Sequence, residues 1–178
     1  MTNFDLGPNA DLIGQPGSRY ELQTPALVID LDVLERNLDT MRTFLLARGI
    51  YLRPHTKTHK SVQIAKLQIE HGAVGVCCTT LGEAEILVAG GVPSVHVTSP
   101  VVGNKIKRLI DLAKTAEELS VVVDDVENAE NLSDAASQAN IDLSVLVDVD
   151  LGRRRTGVPT GEGTVELAGV LNELPGLN

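Results

Sequence analysis

Arg53-Pro54-His55-Thr56-Lys57-Thr58-His59-Lys60 is the stretch on which the reading of the fold turns. A short apolar segment, Ile50-Tyr51-Leu52, runs directly into it, and a helical pattern follows at once. Strand, polar loop and helix make the βα unit of an α/β protein, whose chemistry is placed in the loops at the carboxyl ends of its strands. This loop holds Lys57, flanked by two histidines, an arginine and a second lysine. Cationic neighbours disfavour a further positive charge, and a neutral lysine amine condenses with a carbonyl to a Schiff base. Lys57 is therefore a candidate cofactor-bearing lysine. The alternative at this point is a solvated charged loop with no catalytic part.

Outward from this loop, strand and helix patterns alternate. A strand over 50–53 precedes a helix over 61–70, and a strand over 73–78 precedes a helix over 81–89. The same order recurs for 94–98 with 104–116, 119–123 with 126–139, and 143–149 with 164–173. The strands are rich in β-branched residues and bounded by Gly, Pro, Asp or Asn. Each helix carries one apolar face, as Val102, Ile106, Leu109 and Ala113 do. Upstream, a strand over 26–29 is expected after Thr24-Pro25. A helix then follows, capped by Asp30 or Asp32, with Glu35 in capping-box position after Asp32 and Gly49 at its end. Leu31, Leu34, Leu38, Met41 and Leu45 share one face of it. Residues 1–23, punctuated by Gly7-Pro8, Gly14, Pro16-Gly17 and Ser18, read as an N-terminal arm, and residues 24–178 as the domain proper.

This βαβα order means a parallel sheet with right-handed crossovers. Two architectures satisfy it: an open doubly wound sheet, or part of a (β/α)8 TIM-type barrel. The doubly wound form wants a glycine-rich phosphate turn after its first strand, and neither G-x-G-x-x-G nor a Walker A pattern occurs. Polar candidates instead follow several strands: Lys57, Thr79-Thr80, Ser99 and Arg155. A barrel builds its site in that way, and the barrel is the favoured reading. A full barrel typically takes ~250 residues, whereas these 178 supply about five core βα units. The expectation is the front part of a longer protein, with Leu174-Pro175-Gly176-Leu177-Asn178 leading into a next strand.

Composition narrows the function classes. Apolar residues are 43% and aromatics 2%, so the core must be aliphatic, as in parallel strands covered by helices. A net charge of −9 repels phosphate backbones, which argues against nucleic-acid binding and suits a cytoplasmic enzyme. Cys77 and Cys78 are adjacent, with no metal-ligand spacing, and read as two small residues on opposite faces of a strand. The amino-terminal residues have no signal-peptide anatomy, and no apolar run reaches the ~20 residues of a membrane span.

Three further clusters carry residues capable of chemistry. His55 and His59 have i, i+4 spacing, but Pro54 argues against a helix there and the glutamate of H-E-x-x-H is missing, so no metal site is assigned. Asp148 to Val158 contains Gly152 and Gly157, which permit a tight turn, and three arginines. Arg155 on such a loop can hold a phenolate or phosphate oxygen. The alternative is a solvated basic loop, or arginines paired with Asp148 and Asp150. Thr79 and Thr80 are either ligand contacts or a helix cap, and Glu83 and Glu85 suit a helix start rather than an acid–base pair.

Four segments together resemble the D-threonine aldolase and D-serine dehydratase family, which belongs to the alanine-racemase-like, fold-type III pyridoxal-phosphate enzymes. They are Thr24 to Asp30, Arg53 to Lys60, Gly75-Val76-Cys77-Cys78 leading to Glu83-Ala84-Glu85, and Asp150-Leu151-Gly152 through Arg155-Thr156-Gly157-Val158. The R-P-H-x-K-T-H-K pattern is the specific one. The resemblance implies a barrel of the alanine racemase N-terminal type. It makes Lys57 the Schiff-base lysine for pyridoxal 5'-phosphate, brings Arg155 to the cofactor's ring oxygen, and counts His55 among the cofactor contacts. It further implies a D-3-hydroxy amino acid substrate, cleaved by retro-aldol reaction or dehydrated to a keto acid and ammonia, and a homodimer when full length. A divalent metal is expected in the full-length protein, with its ligands and a C-terminal β-rich domain outside this chain. The fragment alone is then expected to be inactive. Amino-acid racemisation, a non-catalytic pyridoxal-phosphate carrier on the same barrel, and a domain with no cofactor stay open beside the lyase reading.

Overall fold

The structure is a computed structural model that describes residues 7–178, so the first six residues of the expected N-terminal arm lie outside the described residues. The chain divides into two compact units, one up to Met41 and the other from Arg42 to Asn178. In the first, short 3-10 turns occupy Gly7–Leu12 and Ser18–Tyr20. The strand expected over 26–29 does not form, because these residues have no ladder partner among the described residues. β-propensity describes fit to a pleated surface, and without a neighbour to complete that surface it makes no strand. Helix α1, Leu31–Leu46, starts where Asp30 Oδ1 accepts the Val33 N–H at 3.0 Å. Asp30 is thus the cap, not Asp32. Gly49, at φ +64, closes the helix end as expected.

The second unit is a run of βα units. Helix α2, Val62–Glu70, is capped by Ser61, whose Oγ accepts the Ile64 N–H. Strand β1, Val76–Cys78, leads to α3, Leu81–Ala89, and β2, Ser94–Val97, leads to α4, Lys105–Ala113. Strand β3, Glu118–Val123, leads to α5, Val126–Ala139, and Asp125 caps α5 through the Asn128 N–H at 2.9 Å. Strand β4, Ser144–Val147, is followed by the short pair β5, Val149–Asp150, and β6, Val158–Pro159, and then by α6, Glu162–Glu173.

Strands β1 to β4 form one parallel sheet in the order β1-β2-β3-β4. Neighbours in space are neighbours in sequence, with no reversal. A doubly wound sheet reverses at its switch point and a barrel does not. The order therefore decides between the two architectures in favour of part of a barrel. The strand expected over 50–53 is reduced to an extended edge. It gives carbonyls to its neighbour, from Leu52 to the Val74 N–H at 2.9 Å and from Pro54 to the Cys77 N–H at 2.7 Å, and makes one bridge, His55 with Cys77. Pro54 has no N–H to return, so a regular ladder cannot run through it. At the other edge Leu177 bridges Leu143 in parallel, and the Val145 N–H reaches Asn178 O at 2.9 Å.

Side chains alternate between the sheet's two faces. Val76, Cys78, Val95, Val97, Val121 and Val123 are fully buried and pack with Leu109, Leu132 and Ala129 of the helices. The register sets Cys77 beside His96, His96 beside Ser120 and Ser120 beside Ser144 on the opposite face. Hydrophobic burial thus sits between sheet and helices, and the other face carries a polar row. All the carboxyl ends of β1 to β4 share one edge, and the Lys57 loop lies at that edge because His55 is level with Cys77.

Candidate active site

Lys57 sits in a single 3-10 turn, Thr56–Thr58, anchored on both sides of the backbone. Thr56 is buried, and its hydroxyl donates to Cys77 O at 3.0 Å. His55 caps the turn: its Nδ1 accepts the Lys57 N–H at 3.3 Å. The other ring nitrogen, Nε2, lies 3.2 Å from Thr98 Oγ1. Thr98 donates its own hydroxyl proton to Cys78 O at 2.9 Å, so its oxygen is left to accept. His55 Nε2 therefore carries the ring's proton, and the ring is neutral. Burial, and then the charge of Lys57, push the His55 pKa down, with Glu83 acting the other way. The Lys57 side chain is exposed and, among the described residues, forms no ion pair.

The cationic crowd expected around Lys57 is largely dispersed by the fold. Lys60 Nζ lies 3.2 Å from Glu83 Oε1. Arg53 turns away and donates to Ser94 Oγ at 2.8 Å, in a space kept open because position 75 is glycine. A Cβ there would lie 2.7 Å from the Ser94 side chain and closer still to the guanidinium. His59 accepts the Ser61 N–H on Nδ1 at 3.0 Å, and burial lowers its pKa. Glu83 and Ser94 come from other βα units, which spacing within the motif does not disclose.

Arg155 lies on the loop between β5 and β6, at the same sheet edge. Asp150 organises this loop through its backbone. Its Oδ1 accepts the N–H of Gly152 at 2.9 Å and of Arg154 at 3.0 Å. Asp124 accepts the Gly157 N–H at 2.9 Å and ties the loop to the end of β3. The three guanidiniums are exposed, and none pairs with Asp148 or Asp150. Asp148, Asp150, Arg153, Arg155 and Thr156 line a cleft of about 280 Å³. His55 and Lys57 are brought together, whereas Arg155 makes no hydrogen bond or ion pair to either.

Thr80 proves to be a cap, accepting the Glu83 N–H at 3.3 Å, while Glu83 reaches back to complete the capping box. Thr98 was missed in sequence. Its signal was a polar residue closing an apolar strand. Cys78 is buried and its thiol is pushed up to about 12 by burial, then by Glu83 and Cys77, and burial also raises Cys77. Burial thus disfavours the reactive thiolate at both positions. Among the described residues no group of three His, Cys, Asp or Glu could hold a metal ion, and no helix is long and apolar enough to cross a membrane.

Residues 29–178 match the family described as alanine racemase, N-terminal domain. The chain belongs to that family. Among curated relatives it is 44% identical over 180 residues to 3-hydroxy-D-aspartate aldolase of Paracoccus denitrificans, covering 99% of this chain and 46% of that protein. The chain thus spans about half the length of the curated relatives it matches. Among solved structures, D-threonine aldolase from Filomicrobium marinum superposes with a TM-score of 0.86 at 40% identity, covering 89% of this chain and 43% of that one. D-threo-3-hydroxyaspartate dehydratase from Delftia sp. HT23 superposes with a TM-score of 0.76 at 31% identity, covering 84% and 39%. Family and superpositions agree with the partial barrel read from strand order.

Proposed function

We propose that this chain carries the cofactor lysine of a pyridoxal-phosphate-dependent lyase acting on D-3-hydroxy amino acids. The observation that supports it most directly is the Lys57 turn, an exposed amine with no ion pair among the described residues, on a loop anchored through Thr56 and His55 at the carboxyl edge of a parallel sheet. The side chains present suit the cofactor. An aldehyde needs an amine with no competing ion pair, and Lys57 offers one. An anionic oxygen needs a donor, and the Arg155 guanidinium is uncommitted. The names of the relatives, two aldolases and a dehydratase among those cited, support the lyase class.

Each residue then has a defined task. Lys57 Nζ is the covalent attachment point. His55, neutral and held by Thr98, fixes the backbone of Lys57 and adds no charge beside the amine. Arg155 donates to an oxygen of the bound group, on a loop kept in shape by Asp150 and Asp124. When bound, pyridoxal phosphate supplies an electron sink for the substrate's α-carbon. The reading includes a divalent metal held by side chains outside this chain, a homodimeric full-length protein and a cytoplasmic location. It takes residues 24–178 as one incomplete barrel domain.

Product analysis on the full chain carrying these residues tests it. With pyridoxal phosphate and a divalent cation, a D-3-hydroxy amino acid should yield either aldehyde plus glycine or keto acid plus ammonia. Recovery of the opposite enantiomer, or no turnover at all, contradicts the proposal.

A further inference from the structure

One carboxylate joins the Lys57 turn to the next βα unit. After the turn the chain enters the left-handed region at Lys60, φ +49, a conformation that a residue with a side chain holds only when its surroundings enforce it. Two bonds hold Lys60: its N–H donates to Thr56 O at 2.7 Å, and its Nζ lies 3.2 Å from Glu83 Oε1. Glu83 is itself fixed. Its Oε2 accepts the N–H of Thr79 at 2.8 Å and of Thr80 at 3.3 Å, and its side chain is 17% exposed, against 67% for Lys60. The Thr79 hydroxyl also lies 3.5 Å from His55 Nε2. The turn is therefore bracketed by His55 before Lys57 and by the Glu83-held Lys60 after it.

We propose that Glu83 is a positioning residue for Lys57, with Oε1 on Lys60 and Oε2 on the Thr79 and Thr80 amides fixing the turn that presents the cofactor amine. This rests on the assignment of Lys57 made under Proposed function. A glutamate at the third position of a helix ordinarily serves only as half of a capping box. Here one oxygen suffices for that, and the other is spent on a loop 23 positions upstream.

Glu83→Gln and Lys60→Gln separate the two roles. Glutamine at position 83 keeps an acceptor for the capping box, and Lys60→Gln leaves Glu83 and its cap intact. Both remove the ion pair. Peptide-resolved hydrogen exchange across 55–60 reads the turn without cofactor, and the rate of borohydride-trapped pyridoxyl labelling of Lys57 reads the amine. The expected result is faster exchange at 55–60 in both variants, unchanged exchange in α3, and labelling slowed roughly two- to fivefold, the range of a partly exposed ion pair. The double variant should be no worse than either single one, because both remove the same bond. Unchanged exchange and labelling reduce Glu83 to a helix cap and overturn the proposal. Faster exchange with unchanged labelling also overturns it, since the turn is then held for no purpose at the amine. If wild-type Lys57 takes no label while exchange still responds, the assignment of Lys57 itself fails and this proposal falls with it.

Discussion

His55 shows how one side chain can set the backbone of another. Its Nδ1 takes the Lys57 backbone N–H and its Nε2 proton goes to Thr98, so both ring nitrogens are committed. Asparagine can place its side-chain oxygen near the Nδ1 position and is a good cap, whereas leucine has no acceptor. His55→Asn should therefore keep the Lys57 amide protected from hydrogen exchange. His55→Leu should lose that protection and about 1 kcal/mol of stability. Equal exchange in the two variants would remove His55 from this role. Lys57 was legible in the sequence because its loop follows an apolar segment and opens a helix. Its neighbours' partners were not. Lys60 finds Glu83 across 23 positions of sequence, and Arg53 finds Ser94 across 41. No local spacing announces such pairings; only the parallel register does.

At the level of elements, the legible parts were those whose signals are local. Helix α5, Val126–Ala139, and helix α3, Leu81–Ala89, form over the residues read for them, and their N-terminal caps, Asp125 and Thr80, are local signals. The strands read over 26–29 and 50–53 failed for a non-local reason. One has no neighbour, and the other loses its ladder at Pro54. The arginine loop was legible as glycine-bounded, but not as closed by β5 with β6 or tied to Asp124. Gly157 is where that closure is tightest. It has φ +96, and a Cβ there would lie 2.6 Å from the Asp150 N and 2.8 Å from the Val149 C. Gly157→Ala should cost about 1–3 kcal/mol in thermal unfolding. It should also weaken cofactor retention by displacing Arg155. A variant as stable as the wild type would show that the loop does not need this approach.

For the unit from Arg42 onward, three histidines give stability a shared dependence on pH. His55, His59 and His96 are all held below their ordinary range, in each case by burial first. For His96 the positive charge of Arg53 adds to burial. The unfolded chain takes up protons at its histidines from about pH 6.5 downward, and the fold refuses them. More protons bound in the unfolded state means stability rises with pH, so it should be full above that value and fall as pH drops below it. Carboxylates titrate nearer pH 4, so relief of the acidic chain's self-repulsion does not mask this window. Melting at about pH 7.5 and about pH 5.5 should show the lower Tm at the acid value, with a smaller difference in His96→Asn. A Tm that is flat or rises on acidification contradicts the lowered pKa of these three histidines.

The central claim is that the Lys57 amine, presented at the carboxyl edge of the parallel sheet, is the one that takes the cofactor. Incubation with pyridoxal phosphate, reduction with borohydride and peptide mapping tests it most directly. The account predicts a pyridoxyl label on Lys57, absent in Lys57→Ala, with no transfer to Lys60 or Lys66. A label on another lysine, or a stoichiometric label that survives Lys57→Ala, would contradict it.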